Sequence, residues 1–203
     1  MKRIRFTLLF AVLISLFASC SKDEVLDAYG KPEDNDSYTI MMYGCGGGNL
    51  DFSMIQNIEE ALLIGTSDKV KFTGQVNFSK EFQATPATKN TQRFIIGNTP
   101  GQEYEPTYVF DELLNLAEPE NLTDFIKWSK KQCPSDNYIL LLWNHGGGWM
   151  PEDDAPQSKG IIFDDNHNNE CLTLNNLVKG IEDSNTKLKM IYFDACLMGT
   201  LEV

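Results

Sequence analysis

The sequence predicts an α/β fold, a mainly parallel sheet flanked by helices. Three observations carry that expectation. Short apolar runs alternate with amphipathic helical stretches from Tyr38 onward. Two of the runs, Tyr138 to Trp143 (YILLLW) and Leu188 to Phe193 (LKMIYF), are almost continuously apolar, as a strand buried on both faces requires. The chain has 203 residues, 42% of them hydrophobic and 23% charged, which is ordinary for a globular domain with one core.

The start of the chain is of a different kind. Lys2, Arg3 and Arg5 precede an apolar run from Phe6 to Phe17, which ends in Ala18-Ser19-Cys20. Basic residues, a short apolar stretch and small residues are the pattern of a cleaved export signal, residues 1–19. Twelve residues are too few to span a bilayer as a helix. A cysteine directly after small residues resembles a lipobox, the signal of bacterial lipoproteins. That resemblance implies that Cys20 carries lipid and anchors the protein to a membrane, either at the outer membrane or on the cell surface. Ser21 to Ser37 is polar and acidic, with Gly30 and Pro32, so residues 20–37 read as lipidated cysteine and flexible tether.

The folded part is expected over residues 38–203. Tyr38 to Tyr43 (YTIMMY) reads as a strand, and Gly44 to Asn49 as a glycine-rich loop. Asp51 to Leu63 reads as a helix and Val70 to Phe78 as a second strand. Between Ala84 and Thr107 short strands and turns are expected, with Arg93 to Ile96 the strongest. Asn121 to Gln132 reads as a helix stopped by Pro134. After YILLLW come a short strand, Gly160 to Phe163, and a helix, Leu172 to Ile181. In that helix Leu174, Leu177, Val178 and Ile181 fall at i, i+3, i+4 and i+7, with Thr173 placed to cap it. LKMIYF is the last strand.

Charge and cysteine content narrow the function. The chain has 17 Lys and Arg against 29 Asp and Glu, a formal charge of −12. Without the three basic residues of the signal, 14 basic residues remain and the balance becomes −15. Such a surface disfavours nucleic acid and suits basic peptide or protein substrates, although solubility alone also accounts for it. The cysteines, Cys20, Cys45, Cys133, Cys171 and Cys196, show no zinc spacing; with Cys20 used for lipid, the other four could pair but are expected as free thiols.

In open α/β sheets, functional residues gather beyond the carboxyl ends of the strands. YILLLW runs into Asn144-His145-Gly146-Gly147-Gly148-Trp149, and LKMIYF into Asp194-Ala195-Cys196-Leu197-Met198-Gly199. If these strands are neighbours, their axes lie about 4.8 Å apart, and His145 and Cys196 share one rim. A thiol beside an imidazole becomes a nucleophilic thiolate. A helix starting after Cys196 would add its positive end. The bare Gly146 would let a substrate carbonyl approach, so the N–H groups of Gly146 and Cys196 are candidates for an oxyanion hole. Singly, a buried structural cysteine and a turn histidine are the plainer readings; the pairing is what is specific.

The pairing of LLLWNHGGGW with IYFDACLMG resembles the clostripain family of cysteine peptidases, related to caspases and gingipains. YTIMMY, NLTDFIKW and KGIIFDD extend the likeness over Tyr38 to Val203. The resemblance implies a caspase-like fold and endopeptidase action after Arg or Lys by a His145/Cys196 dyad. It also implies recognition of the basic side chain by Asp194, two residues before the nucleophile. A charge-assisted contact from a buried carboxylate would serve that role, and capping the next helix is the alternative for the same residue. Some members cut themselves between histidine and cysteine; here Lys159-Gly160 closes the polar stretch Met150 to Lys159 and is the candidate bond.

The sequence departs from that family in places. Gly44 to Gly48 is not the usual pattern there. It matches neither a P-loop nor a dinucleotide fingerprint, so it reads as a tight turn near the site. Asp164 to Glu170 is rich in oxygen ligands. Calcium is the ligand to consider there, but no EF-hand spacing is present, and a solvated turn with a surface His167 is the plainer reading. No cofactor is expected. Val203 lies seven residues past Cys196, whereas members of that family continue well beyond. A further C-terminal segment is therefore expected to complete the domain, and the 203-residue chain alone is expected to have little activity and an exposed edge at LKMIYF. The alternative function is a surface lipoprotein that binds peptides or glycans without turnover.

Overall fold

The computed structural model describes residues 35–47, 49–82, 89–148 and 160–199. The export signal, Cys20, most of the tether, Trp149, the stretch Met150 to Lys159 and residues 200–203 lie outside the described residues. The elements run β1 (Tyr38–Cys45), α1 (Asp51–Ile64), β2 (Val70–Asn77), β3 (Gln92–Ile96), β4 (Tyr108–Val109), α2 (Pro119–Gln132), β5 (Asn137–Trp143), β6 (Ile161–Asp164), β7 (Glu170–Leu172), α3 (Leu174–Asp183) and β8 (Met190–Asp194).

Six strands form one sheet in the order β4-β3-β2-β1-β5-β8. β2, β1, β5 and β8 are parallel; β3 and β4 add an antiparallel margin. Alternation along β1 divides the core. Met41, Tyr43 and Cys45 point to α2 and α3, where they meet Leu122, Phe125, Ile126 and Leu177. Met42 points the other way, to Met54, Ile58 and Leu62 of α1. Helices thus cover both faces, and this is why β1 and β5 are apolar throughout.

Local signals set the helix ends. Pro119 occupies the first turn of α2, and Lys130 and Lys131 its last turn. The Thr173 hydroxyl accepts the N–H of Asn176 at the start of α3. The domain reaches back one step into the expected tether: Ser37 Oγ donates to Asp136 Oδ2 at 2.7 Å, and Asn137 N–H donates to the Ser37 carbonyl at 3.0 Å.

Three expectations need correcting. Among the described residues after Cys196 no helix begins: 196–197 form a turn and 198–199 have no regular structure. Leu172, expected to open the helix, instead ends a strand, Glu170–Leu172, that pairs antiparallel with β6, and the helix begins at Leu174. Asp164, the first residue of the oxygen-rich stretch, is not in a solvated turn but ends β6 fully buried, whereas residues 165–169 between the two strands form an exposed to half-buried turn. β8 is the outer strand of the sheet, with Met190, Ile191 and Tyr192 exposed, as its place next to β5 alone dictates.

Candidate active site

The register of β5 with β8 brings the two sequence motifs together. Trp143 pairs with Asp194, and the Asn144 N–H reaches the Asp194 carbonyl at 3.4 Å. His145 and Cys196 each lie two residues beyond that pair, on the same rim. Both line one cleft of about 460 Å³, with Leu50, Asn57, Trp143, Asn144, Phe193, Asp194 and Ala195. His145 and Cys196 are exposed in it.

Gly146 explains how closely the two loops approach. A Cβ at this position would fall on the backbone oxygen of Cys196 and press on Met198. The space that the missing side chain leaves is therefore filled by the Cys196 turn itself. On its other side Gly146 pairs with Ile161, through Gly147 N–H to the Gly160 carbonyl at 2.9 Å. That pairing leaves the Gly146 N–H uninvolved. The turn after Cys196 holds Leu197 at φ 60°, a conformation that costs a residue with a side chain roughly 1–2 kcal/mol.

Asn144, which the sequence reading did not single out, ties this rim to β1 and β6, and Asp164, read from sequence as part of an oxygen-rich stretch, gathers a buried network next to it. The Asn144 amide donates to the carbonyls of Cys45 and Gly46 at the end of β1, and its oxygen accepts the Phe163 N–H at 2.7 Å. Phe163 is aimed there by a bulge in β6, at which the buried Ile162 takes φ 61°. The Asp164 carboxylate accepts from Asn77 Nδ2 at 3.2 Å, Leu116 N at 3.2 Å and Asn166 N at 3.0 Å. His167, expected at the surface without a partner, lies with Nδ1 3.0 Å from Asp164 Oδ2.

These protein donors occupy the Asp164 oxygens, and among the described residues no group of three or more His, Cys, Asp or Glu is arranged to hold a metal ion.

Asp194 sits beside Cys196 in the cleft but is exposed, not buried as a specificity carboxylate was expected to be. Gly160 is buried and its carbonyl is engaged by Gly147. Cys45, Cys133, Cys171 and Cys196 lie outside any disulfide. Burial pushes the thiols of Cys45, Cys133 and Cys171 above their ordinary pKa, which keeps them protonated near neutrality.

A mainly parallel α/β sheet whose rim presents an imidazole and an accessible thiol in one cleft has the two groups that thiol hydrolases use. The family model described as the clostripain family matches residues 101–203, 103 of the 203 residues, and the chain belongs to that family. It is 27% identical over 188 residues to clostripain of Hathewaya histolytica, covering 83% of this chain and 35% of that protein. Among solved structures, a secreted C11 cysteine protease of Bacteroides thetaiotaomicron, iotapain, superposes with a TM-score of 0.63 at 19% identity, over 82% of this chain and 48% of that one. An inactive zymogen C11 protease of Parabacteroides distasonis gives 0.59 at 21%, over 81% and 43%. These likenesses place the fold in the same class. The chain spans about a third of clostripain and under half of each solved structure.

Proposed function

We propose that this chain carries the histidine and the nucleophile of a cysteine endopeptidase that cleaves after Arg or Lys. The observation that supports the reading best is the placement of His145 and Cys196 at matching positions beyond β5 and β8, in a common cleft. In the proposed reaction the Cys196 thiolate adds to the scissile carbonyl carbon. The resulting oxyanion is received by the N–H groups of Gly146 and Cys196. The C–N bond then breaks as the His145 imidazolium gives its proton to the leaving amine, and a thioester remains on Cys196. Water, giving a proton to His145, attacks the thioester and releases the acid. Asp194 beside the nucleophile supplies negative charge for a basic side chain, and the net charge of −12 favours the approach of such peptides.

The family membership is what favours this over a peptide- or glycan-binding lipoprotein without turnover. Export through residues 1–19, lipid attachment at Cys20 and self-cleavage at Lys159-Gly160 belong to the same proposal. No helix among the described residues is long and apolar enough to cross a membrane. The test is hydrolysis of Arg-, Lys- and neutral-residue peptides by the full-length protein and its Cys196→Ala and Asp194→Asn variants. Cys196→Ala is expected to abolish turnover, and Asp194→Asn to lower kcat/KM for basic substrates about tenfold or more. Turnover that survives Cys196→Ala would refute the dyad.

A further inference from the structure

We propose that Asn49 is a positioning residue for His145, and that carrying it is the task of the glycine-rich loop after β1. This rests on the peptidase reading of the same cleft. Asn49 Oδ1 lies 3.1 Å from His145 Nε2. An amide oxygen accepts, so Nε2 carries the hydrogen and Nδ1 is left as the nitrogen that exchanges a proton with Cys196 and the leaving amine.

The loop is built to hold Asn49 there. The Gly46 N–H donates to the Asn77 carbonyl at 2.7 Å, and the Gly47 N–H to Asp51 Oδ1 at 2.9 Å. The Leu50 N–H closes the turn around Asn49 by donating to the Gly47 carbonyl at 2.9 Å. Gly47 takes φ 75°, and a side chain there would crowd the Asp165 carboxylate. The buried Asp51 carboxylate is in turn held by the N–H and hydroxyl of Ser79. A loop with no phosphate or nucleotide signature is thus anchored from Asn77 of β2, Asp51 of α1 and Ser79 just beyond β2, and the Asn49 side chain it carries meets the imidazole.

The charged and titratable groups around His145 are Cys196 and Asp194 on the β8 side, and Asp51 and Asp165 beneath the glycine loop; α1 contributes only the neutral Asn57 to the cleft. Among the described residues the ring's hydrogen-bond partner is the neutral Asn49 amide. A neutral acceptor orients the imidazole without holding it permanently protonated, which suits a group that must donate a proton and then take one back.

The experiment compares full-length wild type, Asn49→Ala and Asn49→Asp in two pH profiles: kcat/KM on a basic peptide, and the rate of Cys196 alkylation by iodoacetamide. Asn49 is exposed, so both variants are expected to keep the wild-type Tm within a few degrees. Asn49→Ala is expected to lower kcat/KM by about 10- to 100-fold with little change in KM, and to move the alkaline limb to lower pH. Asn49→Asp is expected to move that limb upward by about one pH unit, because a carboxylate stabilises the imidazolium. Profiles of both variants that superimpose on the wild type overturn the role of Asn49. A wild-type Cys196 that reacts no faster than free cysteine overturns the peptidase reading itself, and this proposal with it.

Discussion

Gly146 is the single residue on which the meeting of the two motifs depends. Its Cα lies against the Cys196 carbonyl, so an added methyl must push the nucleophile turn away from the histidine loop. Gly146→Ala is expected to lower kcat/KM more than 100-fold, since small misplacements of a nucleophile are costly. The rest of the domain is expected to stay folded, because Gly146 lies at the rim. Steady-state kinetics alongside a circular dichroism melt checks both parts. A variant with normal activity would show that the turn can yield. The glycine itself was legible as part of the HisGly motif. What fills the space beside it was not, because that contact joins residues fifty positions apart and has no local signal.

At the scale of the element, β6 and the loop after it act as a brace. The bulge at Ile162 brings the Phe163 N–H to Asn144, and four residues later His167 folds back onto Asp164. A buried carboxylate with three N–H donors and an imidazole is costly to disturb. Asp164→Asn replaces one acceptor oxygen by an NH2 that faces donors, and is expected to destabilise the domain by about 2–4 kcal/mol. Urea unfolding at pH 7 measures this; a shift under 1 kcal/mol would mean the network relaxes. The oxygen-rich sequence here invites a metal or a solvated turn. Only burial, a property of how β6 packs under β1, assigns Asp164 to the interior.

Across the whole molecule, the buried ionisable groups set a direction for stability against pH. Burial, then the nearby Asp164, pushes the Cys45 thiol well above its ordinary value. Burial, then Asp164, does the same to the Tyr43 hydroxyl. Both groups are protonated when folded. In the unfolded chain they ionise near pH 8.5 and 10, so their contribution is complete below about pH 8.5 and is lost as pH rises beyond it. The free energy of unfolding is therefore expected to fall steadily from pH 8.5 to 10.5. Cys45→Ala is expected to flatten the first part of that slope, as urea titrations at successive pH values would read. An equally steep slope in the variant would remove Cys45 from the account.

The amino-acid order by itself determined the strand and helix sequence apart from β7, the mainly parallel character of the sheet and the two motifs that end at its rim. Period-two and period-3.6 patterns report burial locally, and doubly apolar strands admit few neighbours. Only the tertiary structure decided that Asp194 is exposed, that no helix begins among the described residues after Cys196, that Asn144 ties the histidine loop to β1, that Asn49 meets His145, and that Asp164 gathers a buried network. Those outcomes depend on hydrogen bonds between segments far apart in the chain. Polar side chains of that kind look the same in sequence whether they face water or close a buried network.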